Sequence, residues 1–226
     1  MQRPPVLIVG ASGAIGSALA EQLSGAGYTV WGTASHLAST AVVPNCVSKT
    51  FVCDLTNDAS IADLIDQVSD STAALSGVIL AAGAVAFGNL SDTKPEVVDR
   101  LMAVNLTGQV KLMSALQPLL KAAGEGFVVS LSGKVAEVPT AGMAAYSAAK
   151  AGLYAYSVAA GRELRRDGIR WIDARPGHTE TGFAERALSG TAPAFGPGLA
   201  ASAVAARIVA AISGGEKDLP SSEFAN

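Results

Sequence analysis

Tyr146 and Lys150 lie four residues apart in the stretch Ala-Ala-Tyr-Ser-Ala-Ala-Lys. A run so rich in Ala favours helix, and the i, i+4 spacing puts both side chains on one helical face. An ammonium beside a phenol favours the phenolate, so the pair can move proton release from the ordinary phenol value of about 10 toward working pH. That is an acid–base device. The same spacing also arises as surface decoration, and what decides between the two is whether the rest of the chain brings a ligand site to the pair.

The elements that would position the pair alternate along the chain. Val6-Leu7-Ile8-Val9 is short, apolar and continuous, as a strand buried on both faces requires. Gly10-Ala11-Ser12-Gly13-Ala14-Ile15-Gly16 then opens a helix that runs through Ala18, Leu19 and Leu23 to Gly25 and Gly27. Strands follow at Tyr28 to Thr33 and at Thr50 to Cys53, the latter ending in Asp54. Asn57 or Thr56 caps a helix with Ile61, Leu64, Ile65 and Val68 on one face, and Gly77 to Ala82 reads as a fourth strand. Thr93-Lys94-Pro95-Glu96 has the capping-box pattern and starts a long helix through Asn105 toward Leu120. A fifth strand, Phe127 to Leu131, leads through a loop of Gly, Pro and Thr into the helix of Tyr146 and Lys150, which ends near Asp167-Gly168. The strand Ile169 to Ala174 stops at Arg175-Pro176-Gly177. A stretch with Gly182, Gly190, Pro193, Gly196 and Pro197 has the composition of a mobile loop, Ser202 to Ile212 is a last helix, and Asp218-Leu219-Pro220 argues against a further strand. This alternation predicts an α/β fold: a single domain over residues 1–226, a Rossmann-type doubly wound parallel sheet flanked by helices, with ligands at the carboxyl ends of the strands.

Composition narrows the function classes. Of 226 residues 50% are hydrophobic and 15% charged, enough for one sizeable core and too little chain for two domains with a linker. A net charge of -3 gives no electrostatic footprint for nucleic acid or an anionic membrane surface. No stretch reaches the roughly 20 apolar residues that span a bilayer, and the Ala-rich region near the C-terminus is broken by Pro197 and Arg207. Met-Gln-Arg-Pro-Pro runs straight into the first strand rather than into a signal peptide, so a cytoplasmic location is expected. Cys46 and Cys53 lack ligand spacing and a nearby His cluster; neither a metal nor a disulfide is expected.

The chemistry-bearing residues fall at strand ends. In the glycine loop, Gly10 permits a tight turn, the next glycine clears side chains from an approaching pyrophosphate, and Gly16 lets the helix pack close to the strand. Helix amides then face the phosphates. Asp54 follows the third strand, Ala81-Ala82-Gly83 the fourth, Ser132 the fifth and Pro176-Gly177 the sixth, all on one edge of the predicted sheet.

With these marks, and with Asn105 in Val-Asn-Leu-Thr-Gly, Tyr146-Ser-Ala-Ala-Lys150, and Pro176-Gly177 followed by Thr181, the chain resembles the short-chain dehydrogenase/reductase family from Val6 to about Ile212. The resemblance implies NAD(P)-dependent hydride transfer between a carbonyl and an alcohol on a small-molecule substrate. It implies that Tyr146 is the general acid/base, that Lys150 lowers its pKa and holds the nicotinamide ribose, that Ser132 bonds the substrate oxygen, and that Asn105 places a water in a proton relay. The cofactor-binding set it implies comprises Gly10, Ser12, Gly13, Ala14, Ile15 and Gly16; Asp54 and Leu55, with Asp54 at the adenine; Ala81, Ala82 and Gly83; Tyr146 and Lys150; and Pro176, Gly177, Thr179 and Thr181, the last at the carboxamide or phosphate end. It also implies homodimers or homotetramers, and Ala148, Ala149, Gly152, Ala155 and Ala159 would let a second subunit approach closely.

The departures carry information. Ala14 stands where many members have the middle glycine, a change small enough to leave the loop able to bind. The usual Asn-Asn-Ala-Gly is Leu80-Ala81-Ala82-Gly83, which loses a side-chain bond that braces the sheet. The family's serine lies thirteen positions before the tyrosine, where this chain has Gly133; Ser132 is one further back, and Ser130 is the weaker candidate on the expectation that alternation points it to the other side of the strand. The second strand ends in Gly32-Thr33-Ala34-Ser35-His36 with no carboxylate for a ribose 2′-hydroxyl, which favours NADP over NAD; with no Arg or Lys there, the 2′-phosphate is left to Thr33, Ser35, His36 and Ser12. Residues 178–200 are expected to cover the substrate, with Phe183, Leu188 and Phe195 on one side and Val138, Pro139 and Met143 on the other. A non-catalytic NAD(P)-binding regulator of the same fold is the alternative, motivated by the altered loop and shifted serine; an epimerase-type member is a third.

Overall fold

Val6–Val9 forms strand β1 with no residue more than 1% exposed, because it lies at the centre of a sheet covered on both faces. The computed structural model describes residues 3–224; residues 1, 2, 225 and 226 of the domain read from the sequence lie outside that range. In chain order follow α1 (Ala14–Gly25), β2 (Val30–Ala34), β3 (Val47–Val52), α2 (Asp58–Ser71), β4 (Gly77–Leu80), α3 (Pro95–Met102), a π turn (Ala103–Thr107), α4 (Gly108–Ala122), β5 (Gly126–Leu131), α5 (Ala144–Leu164) and β6 (Ile169–Ala174). The chain closes with β7 (Thr179–Glu180), β8 (Leu199–Ala200), α6 (Ala201–Gly214) and β9 (Asp218–Leu219).

Seven strands pair in parallel in the order β3-β2-β1-β4-β5-β6-β9. The order runs outward in opposite directions from β1 and β4, so their carboxyl ends form the switch point where such sheets bind ligands. Leu19 and Leu23 of α1 and Ile208 and Ile212 of α6 pack on one face, and Leu64 of α2 and Leu112 and Leu116 of α4 on the other. Asn57 caps α2 as its position predicts, accepting from the N–H groups of Ala59 and Ser60.

Three local expectations are corrected. Thr93 does not close a capping box: its hydroxyl donates back to the Asn89 carbonyl at 3.0 Å, and α3 starts from Lys94 with Pro95 in its first turn. The helix through Asn105 is interrupted by the π turn, which inserts an extra residue between α3 and α4. A last strand does form at Asp218–Leu219, because the Arg175 N–H donates to the Leu219 carbonyl at 2.9 Å and its guanidinium holds Asp218.

Candidate active site

The glycine loop is forced by close backbone contacts. Gly10 has φ of 91°, and a Cβ there would lie 2.7 Å from the Ala82 nitrogen. A Cβ on Gly16 would lie 2.1 Å from the Gly10 carbonyl oxygen, so α1 can leave β1 at this angle only without a side chain there. The Gly10 N–H is held by the Thr33 hydroxyl at 3.1 Å, which joins the loop to the end of β2. Gly13, the N-cap of α1, supplies no side-chain cap, and the first turn holds no acid. The amides at this end are therefore open to an anion, and the bare backbone of the loop fits a pyrophosphate.

From this loop a cavity of about 800 Å³ extends along the strand ends to α5. Every residue of the cofactor-binding set lines it, from Gly10, Ser12, Gly13, Ala14, Ile15 and Gly16 through Thr33, Ser35, His36, Asp54, Leu55, Ala81, Ala82 and Gly83 to Tyr146, Lys150, Pro176, Gly177, Thr179 and Thr181. Asn105 and Ser132 do not.

Tyr146 and Lys150 share the cavity face of α5, with the Lys150 Nζ 5.9 Å from the centre of the Tyr146 ring. The ammonium donates to the Leu131 carbonyl at 2.7 Å, which anchors it at the end of β5. Burial pulls Lys150 down to about 8, against the charge of Asp173, which works to raise it. Burial likewise pushes the Tyr146 phenol up from its ordinary value. In the protein alone burial is the cause that sets the direction of the phenol.

Asn105 is fully buried in the π turn, with its carboxamide committed to the main chain. It donates to the carbonyls of Ala84 at 2.8 Å and Leu101 at 3.0 Å and accepts from the Ala84 N–H at 3.1 Å. The side chain expected to place a water instead shapes the floor of the site: a Cβ on Gly83 would lie 3.2 Å from the Asn105 Oδ1 and 3.7 Å from the Lys150 Nζ.

Ser132 is the main correction. It is fully buried, and its hydroxyl donates to Asp173 on β6 rather than toward the cavity. Ser130 donates to the other oxygen of the same carboxylate, so the two serines share a face; being two residues apart in a strand they must, and the expectation that alternation separates them is wrong. The residue that reaches the cavity is Gly133, with φ of 76° and its N–H on the Ala174 carbonyl at 3.2 Å.

Gln109 is a buried residue beside the site that the sequence did not single out. Its Nε2 donates to the carbonyls of Ala82 at 3.1 Å and Val104 at 3.0 Å, bracing the segment after β4 where this chain lacks an asparagine. Its spacing of four from Asn105 was the available signal. The end of the cavity beyond Tyr146 is apolar: Val85, Phe87 and Met143 form a small cluster against which Tyr146, Phe183 and Ala187 pack. Phe195 stacks on His178 with centroids 4.6 Å apart, and the short β7–β8 pairing, which His178 precedes, closes the base of the loop that carries Phe195.

A family model described as short chain dehydrogenase matches residues 5–191. The chain belongs to that family and is therefore an NAD(P)-dependent oxidoreductase of the CH–OH/carbonyl class. It is 30% identical over 232 residues to a dehydrogenase/reductase SDR family protein 7-like of Anopheles gambiae, covering 95% of this chain and 73% of the relative. It is also 30% identical over 189 residues to a 3-ketodihydrosphingosine reductase of Bacteroides thetaiotaomicron, covering 82% and 67%. Among solved structures, a short-chain dehydrogenase from Sphingobium yanoikuyae in complex with NADPH superposes with a TM-score of 0.85 at 25% identity, over 96% of this chain and 87% of the other. Among the described residues no helix is long and apolar enough to cross a membrane.

Proposed function

We propose that the protein is an NADPH-dependent carbonyl reductase, or the corresponding alcohol dehydrogenase, acting on a small molecule with an apolar body. The observation that carries this is the single cavity joining the glycine loop to Tyr146 and Lys150 and ending against Phe87, Phe183 and Phe195. When bound, the nicotinamide supplies or accepts the hydride. The chain's part is to hold phosphates on the open amides of α1, to bring the Tyr146 hydroxyl to the oxygen whose charge changes, and to keep the Lys150 ammonium beside it.

The preference for NADPH rests on the end of β2. Ser35 and His36 are exposed and line the cavity with no carboxylate among them. The His36 Nδ1 accepts from the Ser39 N–H at 3.2 Å, which leaves its Nε2 as the donor free for a phosphate. A cytoplasmic homo-oligomer is the proposed state, with Ala148, Ala155 and Ala159 forming an exposed small-residue face on α5.

Gly133 at the serine position supports a second reading, an NADP-binding regulator without turnover. The two are separated by following NADPH absorbance with a panel of ketones and aldehydes, for the wild type and Tyr146→Phe, alongside fluorescence titration of NADPH. Turnover abolished by Tyr146→Phe with binding retained supports the reductase; binding with no turnover on any carbonyl rules it out in favour of the regulator.

A further inference from the structure

Asp173 is a carboxylate only 3% exposed on β6, in the strand beside the one whose end anchors Lys150, and it lines neither the glycine loop nor the cavity of Tyr146. It pairs in register with Ser130, and Ala174 with Leu131. The end of β5 and the residue after it take both of its oxygens: the Ser130 hydroxyl donates to Oδ1 and the Ser132 hydroxyl to Oδ2. The Arg175 Nη1 also donates to Oδ2, at 3.0 Å, and the Trp171 Nε1 supports Ser130 from behind at 2.9 Å. Between the two serines stands Leu131, whose carbonyl receives the Lys150 ammonium at 2.7 Å.

We propose that Asp173 is a positioning residue for Lys150: it pins Ser130 and Ser132 so that the Leu131 carbonyl meets the ammonium, and its negative charge keeps that buried ammonium protonated.

The charges around it favour this role. Arg175 is shared among Asp173, Asp218 and Glu137, so one guanidinium faces three carboxylates and leaves Asp173 incompletely neutralised. Arg162 of α5, Arg165 in the turn after it, Arg170 of β6 and Lys217 line a second cavity that Asp173 and Asp218 also touch and that Tyr146 does not. On the near side stand Lys150 and Tyr146 of α5, while Tyr154 stacks on Arg175 at 4.5 Å. Burial leaves the Asp173 carboxyl raised above its ordinary value, and the donors that oppose it, the two serine hydroxyls and the Arg175 guanidinium on its two oxygens, are what support the ionised form. Lys150 is then the buried cation on which this charge acts, in opposition to its own desolvation.

The consequence for turnover rests on the reductase reading, whereas the effect on Lys150 does not, and the test separates them. Protein labelled with 13C at the lysine ε-carbons is titrated by NMR without cofactor or substrate, and the Lys150 signal is assigned with Lys150→Arg. The wild-type midpoint is expected near 8. In Asp173→Asn it falls by about one unit or more. Should that variant not fold, Asp218→Asn, at an exposed site, leaves Arg175 more fully to Asp173 and lowers the midpoint by a smaller step. A Lys150 midpoint at the wild-type value in Asp173→Asn, or in Asp218→Asn where the former does not fold, overturns the proposal. A shifted midpoint in a protein that turns over no carbonyl upholds it and sinks the reductase reading alone.

Discussion

The carboxamide of Asn105 is locked to the main chain of Ala84 in both directions, donating to its carbonyl at 2.8 Å and accepting from its N–H at 3.1 Å. This pair ties the π turn to the segment that carries Ala82 and Gly83 into the cavity, so fold and cofactor floor depend on one side chain. Asn105→Ala leaves a buried N–H and two carbonyls unpaired, which costs about 3 kcal/mol of stability. The expected outcome is a lower urea midpoint at unchanged m-value, with weaker NADPH binding by the folded protein. An unaltered midpoint would show that water replaces the side chain.

The two glycines of the loop make opposite predictions. The Gly16 Cβ position is 2.1 Å from the Gly10 carbonyl oxygen, and backbone cannot step aside as a flexible side chain would. At Gly13 the nearest atom is 3.4 Å away, an ordinary contact. Gly16→Ala is expected to lose about 1–3 kcal/mol of stability, while Gly13→Ala keeps the wild-type melting temperature and instead weakens NADPH binding at least about tenfold, because its methyl enters the space left for the pyrophosphate. Thermal melts and fluorescence titration of the two proteins side by side check this; equal effects would mean that the loop relaxes freely.

What the sequence discloses about this site follows from where the determining forces act. Strands β1 and β6 are legible to the residue, β1 as a continuous apolar run closed by Gly10 and β6 as an apolar-rich segment between Gly168 and Arg175-Pro176-Gly177, and the helix of Tyr146 and Lys150 is legible from local propensity. Strand β9 is two residues long and exists through the tertiary contact of Arg175 with Asp218, which leaves no local signal. The π turn likewise depends on Asn105 reaching across to Ala84. The serine is instructive in another way. A period-two argument correctly applied places Ser130 and Ser132 together, but only the presence of Asp173 across the strand pair turns both inward and leaves Gly133 at the cavity. Long-range polar partners, rather than pattern, set those details.

The pH dependence follows from Lys150. Its folded value of about 8 lies below the ordinary 10.5, so between these values the unfolded chain binds more protons and stability rises with pH. Carbonyl reduction should move oppositely, because the ammonium that supports Tyr146 is lost over the same range. The value of kcat/KM for NADPH, which reports the free enzyme, is therefore expected to fall above about pH 8 while the melting temperature, corrected for other titrating groups by comparison with Lys150→Met, rises. A flat profile to pH 9.5 would separate Lys150 from the proton transfer.

The cofactor preference can be inverted at one position. Ser35 is exposed at the end of β2 and lines the cavity beside His36, where a carboxylate would accept a hydrogen bond from a ribose 2′-hydroxyl and repel a 2′-phosphate. Neither effect needs the fold to change, since Ser35 lies beyond the last buried residue of the strand, Ala34. Ser35→Asp is expected to shift the ratio of NADPH to NADH affinity at least about tenfold toward NADH, with most of the change in NADPH binding and a weaker dependence on salt. Titration of both cofactors at low and physiological ionic strength reads this out. A wild-type preference for NADH, or a ratio that Ser35→Asp leaves untouched, would place the 2′-group elsewhere than at the end of β2.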